Sequence, residues 1–199
     1  MGAPRSVVVV AALWLGALLV PPAWAGEPAE QLTAHIDQVL KLLGDPELKQ
    51  PAKAQERREA IQRFAADVLD FEELARRSLG RHWEARTPAE REEFVQLFGE
   101  FVGRVLISKL DRYNGEKVVI VGDALEGAHD DEATVKTLVA ARVGAIPVDY
   151  EMVRRGDRWR VGDIVISGVS LVRNFRGQFD HVIKRASYQQ LVKQVRDKQ

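Results

Sequence analysis

The feature that most constrains this chain is a change of period at Tyr113-Asn114-Gly115. Before it, apolar residues recur at helical intervals. Leu32, Ile36, Val39, Leu40 and Leu43 lead to a stop at Gly44, and Ile61, Phe64, Val68 and Leu69 resume the spacing after a polar stretch from Asp45 to Glu59 that reads as loop or solvated helix. Phe94, Leu97, Phe98, Phe101, Val105 and Leu110 then form one long stripe. Beyond Gly115 the pattern turns to strands: Lys117–Val121 is short and β-branched, Thr134–Val143 alternates, and Val148–Arg154 and Arg158–Ile166 flank Gly156-Asp157, a two-residue hairpin turn by composition. Helices first, about four antiparallel strands next, and helix again predict an α+β fold.

Local signals mark the helix starts. Asp70 stands three residues before Glu73, and Thr87-Pro88-Ala89-Glu90 combines an N-cap, a proline at the first helical position and a glutamate that reaches back to the cap. Asn174 is expected to cap a helix carrying Phe175, Phe179, Val182 and Ile183. Ser187 is expected to cap another with Tyr188, Leu191, Val192 and Val195.

The first 25 residues read as a cleavable export signal. Arg5 is followed by the 14-residue apolar stretch Val7–Val20, and Ala23-Trp24-Ala25 places small residues at the cleavage positions. That stretch is shorter than the roughly 20 residues a membrane span requires. Cleavage after Ala25 leaves one domain, 26–199, that works outside the cytoplasm, without ATP. The chain has 29 basic and 29 acidic residues, so nucleic acid is not an expected partner. It contains no cysteine, which excludes thiol catalysis and zinc–thiolate sites and leaves its core without disulfides.

Chemistry-bearing motifs are scarce. His35, His82, His129 and His181 have no metal-ligand or catalytic spacing. His129-Asp130-Asp131-Glu132 reads as a solvated hairpin tip, and Arg155-Gly156-Asp157 as turn chemistry. Ser167-Gly168-Val169-Ser170 approaches a nucleophile elbow, with no histidine or acid placed to serve it. No metal or cofactor is expected. The apolar strand and helix faces either pack as an ordinary core or leave a dry cavity for an apolar ligand, and periodicity does not distinguish the two.

Asp70-Phe71 with Leu74, Leu79-Gly80 and Trp83, followed by Thr87-Pro88-Ala89-Glu90-Arg91 with Phe94 and Phe98, resembles the MlaC family of toluene-tolerance auxiliary proteins. Trp159 with Asp163, the run Gly168-Val169-Ser170-Leu171-Val172-Arg173-Asn174-Phe175-Arg176, Phe179, and a closing stretch with Leu191 and Lys198 extend the resemblance from about Gln31 to Lys198. The resemblance implies a soluble, monomeric periplasmic carrier of Gram-negative bacteria. Such a carrier takes a phospholipid between an outer-membrane lipoprotein complex and an inner-membrane ABC transporter and so serves outer-membrane lipid asymmetry. It further implies a strongly curved sheet and helices that enclose an apolar pocket. Val105-Leu106-Ile107 stands where family members often carry tyrosine, which would reshape that pocket. A hopanoid-associated member with another two-chain or polycyclic cargo fits the same resemblance.

On this reading acyl chains lie against Val148, Tyr150, Met152, Trp159, Val161, Ile164 and Ile166 from the strands and Phe98, Phe101, Leu106, Phe175 and Phe179 from the helices. Arg173 and Arg176 would meet a headgroup. Strict alternation from Gly156-Asp157 puts Asp163 on the face of Trp159 and Val161, whereas a bulge at Gly162 turns Ile164 and Ile166 to that face instead. Two other classes stay open: a cone-shaped isomerase or dehydratase using Asp163 or Tyr150, and a cargo-free periplasmic adaptor.

Overall fold

The computed structural model describes residues 26–110, 113, 115–142 and 144–198. The export signal expected over 1–25 lies outside the described residues. Four helices come first: α1 (Glu27–Gly44), α2 (Ala54–Val68), α3 (Phe71–Leu79) and α4 (Pro88–Leu110). The strands β1 (Val118–Glu126), β2 (Glu132–Ala141), β3 (Gly144–Arg155), β4 (Arg158–Ile166) and β5 (Val169–Ser170) follow, and α5 (Leu171–Arg185) and α6 (Tyr188–Asp197) close the chain. The expected α+β order holds. The polar stretch after Gly44 resolves into a turn, a short 3-10 segment and the start of α2.

Three expected caps are made. The Asp70 carboxylate accepts the Glu73 amide at 2.9 Å, Thr87 and Glu90 bond reciprocally, and Ser187 Oγ accepts the Gln190 amide at 3.1 Å. Ser187→Ala is expected to cost about 1 kcal/mol. Hydrogen exchange should quicken in the first turn of α6 before the rest of the helix. The fourth cap is a correction: α5 starts earlier, with Ser170 Oγ accepting the Arg173 amide at 2.9 Å, and Asn174 lies inside the helix. Ser170 ends a two-residue strand, so the cap is held by sheet pairing that a local pattern does not show.

All neighbouring strands are antiparallel, in the order β1-β2-β3-β4-β5. The sheet has five strands rather than four, because Ser167-Gly168 turns the chain back onto β4. Both turn residues have positive φ, 50° and 81°, as a tight hairpin requires. The Ser167–Ser170 run is therefore turn and strand, not a nucleophile elbow. His129, Asp130 and Asp131 lie in the connection between β1 and β2, and Glu132 opens β2.

Beyond β4 the sheet edge is partly covered by the α2–α3 junction, where Leu69 bridges Val161 and the Asp70 amide donates to the Val161 carbonyl at 2.9 Å. The helices pack on the sheet face that carries Ala133, Val135 and Thr137. Residues of α1 to α6 and the strands share one core around Trp159, Phe94, Phe98 and Met152. Leu43, Ile61 and Ile107 form a smaller cluster at the far end of α4.

Candidate functional site

The strand half of the site depends on one irregularity. Tyr150 pairs with Ile164 and Val148 with Ile166, yet Met152 pairs with Val161 and Arg154 with Trp159, so the register shifts by one residue. The extra residue in β4 is Gly162. The bulge puts Trp159, Val161, Ile164 and Ile166 on the face of Val148, Tyr150 and Met152, and it turns Asp163 to the other face. Glycine suits this position because a Cβ there would lie 3.1 Å from Cγ of Glu73, which α3 lays over the bulge.

Asp163, expelled from the apolar face, caps α5. It is 2% exposed, and its carboxylate accepts the amides of Ile164 at 2.7 Å and Val172 at 3.0 Å and the Ser170 hydroxyl. These bonds use the acid offered above as a catalytic group. Tyr150 remains on the apolar face, where burial pushes its phenol above the usual range.

The helix half is an aromatic wall. Phe98 meets Phe175 edge-on at 5.3 Å and Phe179 at 5.5 Å, while Phe101 meets Phe175 at 5.7 Å. Edge-to-face rings at these separations are favourable beyond their buried area. Together Met152, Trp159, Val161, Tyr150, Ile164, Phe98, Phe101, Leu106, Phe175 and Phe179 belong to the main core. Val148 and Ile166 stand as a pair outside that cluster, the first buried and the second 43% exposed.

Burial is graded across the surface. Met152, Val161, Trp159 and Phe98 are closed off, whereas Tyr150, Ile164, Phe101, Leu106 and Phe175 are only partly covered. A pocket of about 70 Å³ opens in the aromatic wall among Phe101, Phe175, Phe179, Val182 and Leu191, with Lys198 at its rim. Clefts of about 670 Å³ and 520 Å³ run along α4, by Trp83 and Arg91 and by Phe71 and Gly103, and contain none of the expected lining residues. Ile120, Val102, Val182 and Ile183 join the same partly covered set and were absent from the expected site. Their helical or β-branched spacing was the available signal.

The two arginines expected near a headgroup lie on a polar flank. They line a cleft of about 600 Å³ with Arg81, His82, Asp180 and Lys184. Arg176 donates from Nε to the Arg77 carbonyl at 2.7 Å and packs across Gly80. Arg173 bears on Glu151, whose carboxyl is pushed up by burial and by Asp163 and drawn down by Arg77 and Arg173. Glu151 alternates with Tyr150 and Met152, so this flank belongs to the opposite face of β3.

A second polar feature fixes α3 against β3 and β4. Glu73 is 5% exposed and accepts from Arg76 at 2.9 Å and from Arg77 at 2.5 Å. Arg77 continues to Glu151 at 3.0 Å, and Arg155 joins Asp70 at 2.7 Å. Burial alone would raise the Glu73 carboxyl, but the arginine hydrogen bonds and charges outweigh it and hold the pKa at about 2. Sequence reading saw only the capping role of Asp70 and Glu73 in this network.

The family profile described as MlaC protein matches residues 33–197. The toluene tolerance protein ttg2D of Pseudomonas putida is 23% identical over 129 residues; the match covers 64% of this chain and 59% of that relative. This chain thus aligns with less than two thirds of that relative's length. A solved phospholipid-binding protein from Ralstonia solanacearum, in complex with a phospholipid, shares the fold with a TM-score of 0.72 at 23% identity. The superposition covers 86% of this chain and 96% of that protein. Among the described residues, no helix is long and apolar enough to cross a membrane. With a profile match over most of its length, the chain belongs to the MlaC family.

Proposed function

We propose that this chain is a periplasmic lipid carrier, exported by its first 25 residues and released by cleavage after Ala25. Its acyl-chain site is the surface between the bulged sheet and the aromatic wall. The observation that carries this reading is the graded burial: one continuous apolar surface runs from closed core at Met152 and Val161 to partly open side chains at Tyr150, Ile164, Phe101 and Phe175. Family membership and the phospholipid complex of the Ralstonia relative support it.

The physics sets the capacity required. Each methylene removed from water contributes about 0.8 kcal/mol, so two chains of about 16 carbons would cost roughly 25 kcal/mol to expose during an aqueous crossing. A pocket for even a drug-sized ligand spans about 300–1,000 Å³. The 70 Å³ opening, which is lined from α4, α5 and the C-terminal α6 segment, therefore has to widen and deepen toward the sheet. The partly covered phenylalanines of α4 and α5 are the side chains that swing aside, and the closed core below them stays as the floor. Binding is close to isoenergetic with a bilayer, since a carrier has to release its cargo. Apolar contacts serve that need better than directed polar ones. The cargo is a phospholipid or another two-chain or polycyclic lipid. Its carriage runs between an outer-membrane lipoprotein complex and an inner-membrane ABC transporter.

Organic extraction of the exported protein, followed by lipid mass spectrometry, should recover lipid near one molecule per chain. Burial decides where substitutions can block occupancy: Val161 and Met152, each 1% exposed, belong to the floor, where a charge would unfold the protein. Ile164→Lys and Phe175→Asp act at the partly open surface. Each should lower occupancy severalfold while the thermal midpoint changes by only a few degrees. Lipid-free protein that takes up no labelled lipid from vesicles would sink the carrier and favour a cargo-free adaptor.

A further inference from the structure

The start of α1 is tied to the sheet by a contact whose chemistry changes when the leader is removed. The Gly26 nitrogen donates to both carboxylate oxygens of Asp123 on β1, at 3.1 Å each. The two residues are 97 positions apart, and the contact is partly buried. Gly26 has φ −68° and ψ 173°, a conformation open to any residue, so backbone freedom does not call for glycine there. Close approach does: a Cβ on Gly26 would lie 2.5 Å from Asp123 Oδ2. Immediately after this contact α1 begins, and its Ala29 and Leu32 are buried in the main core.

We propose that Asp123 is a receptor for the α-ammonium group of the processed chain: cleavage after Ala25 makes Gly26 the first residue, and its new charge is held by the Asp123 carboxylate. The inference rests on the export reading above. In the precursor the same nitrogen is a neutral amide with one proton. Peptide-bond hydrolysis adds water across the Ala25–Gly26 bond, leaving a carboxylate on the leader and an amine on Gly26 that is protonated at neutral pH. The acceptor is a carboxylate in both forms, so the amide bond is already charge-assisted; a charged donor adds the direct attraction of two opposite charges. The neighbouring charges favour a cation: Glu27 and Glu30 stand in the first turn of α1, and Arg154 from β3 is engaged by Glu27 at 3.8 Å. Processing thereby strengthens the attachment of α1 to β1, the outer strand of the sheet, which the leader-bearing precursor holds more loosely.

The test uses the full chain expressed with its leader and purified after export, with its first residue determined by intact mass. A second form carries Ser-Gln inserted between Ala25 and Gly26, which leaves the leader unchanged and moves the amine two residues away. In the form that starts at Gly26, D123N should lower the thermal midpoint by about 2–4 °C; in the inserted form the loss should be less than half as large. Gly26→Ala, which still folds because Asp123 can rotate away, should match D123N and add little to it. An intact mass starting at Gly26 with equal D123N losses in both forms overturns the ammonium site while leaving export intact. An exported protein that starts elsewhere overturns the cleavage position itself.

Discussion

Replacing Asp163 with alanine is expected to destabilise the protein by about 4 kcal/mol, because a buried donor left without its acceptor costs about 1–3 kcal/mol and three donors lose theirs. The three are the amides of Ile164 and Val172 and the Ser170 hydroxyl. Two of them belong to the β5–α5 corner, so the loss should be felt first at the start of α5, which carries Phe175 and Phe179. For a domain of this size the midpoint should fall by roughly 10 °C. Asp163→Asn keeps the shape and one acceptor oxygen, and it should retain a good part of the stability. Chemical denaturation of the two variants separates packing from charge and hydrogen bonding. A loss below about 1 kcal/mol for the alanine variant would show that water or a shifted backbone replaces the carboxylate.

Glu73 gives the second large effect, and this one depends on pH. Its folded pKa of about 2 lies below the ordinary glutamate value of 4.5. The folded state therefore holds the ionised form more tightly than the unfolded chain does. That stabilisation is fully present above pH 4.5 and is lost as pH falls towards 2. The difference in pKa corresponds to a contribution on the order of 3 kcal/mol. Glu73→Gln should lose about that much at pH 7, since Arg76, Arg77 and Arg155 then face a neutral group. The variant should approach the parent near pH 2, so the two stability curves converge through the acid range. Parallel curves over that range would remove Glu73 as the source of the effect.

The legible parts of this fold are those set by neighbours in the chain. Asp70, Thr87 and Ser187 cap helices because each reaches an amide three residues on, and Gly156-Asp157 turns a hairpin through its own backbone preferences. Asn174 failed as a cap for a nonlocal reason. β5 pairing and the Asp163 carboxylate fix the helix start four residues earlier, at Ser170.

The apolar residues of the candidate site were legible as types, but their common orientation was not. Alternation alone gives two answers for β4, differing by one residue. The Gly162 bulge selects between them, and it lies where Glu73 from a helix some ninety positions earlier crosses the strand. The arginine positions show the same limit. Arg173 and Arg176 share a helix with Phe175 and Phe179, yet the turn of that helix carries them to the polar flank.

The chain by itself determined its element types, most of its caps, the tight turn at Gly156-Asp157 and the absence of thiol chemistry, because these follow from local geometry and from residue identity. Only the tertiary structure decided which face of β4 is apolar, where Asp163 spends its charge, and how far the aromatic wall closes. Each of those outcomes is a choice among locally equivalent arrangements. The choice is made by burial, which penalises an unpaired carboxylate and rewards an unbroken apolar surface, and burial is a property of the assembled fold.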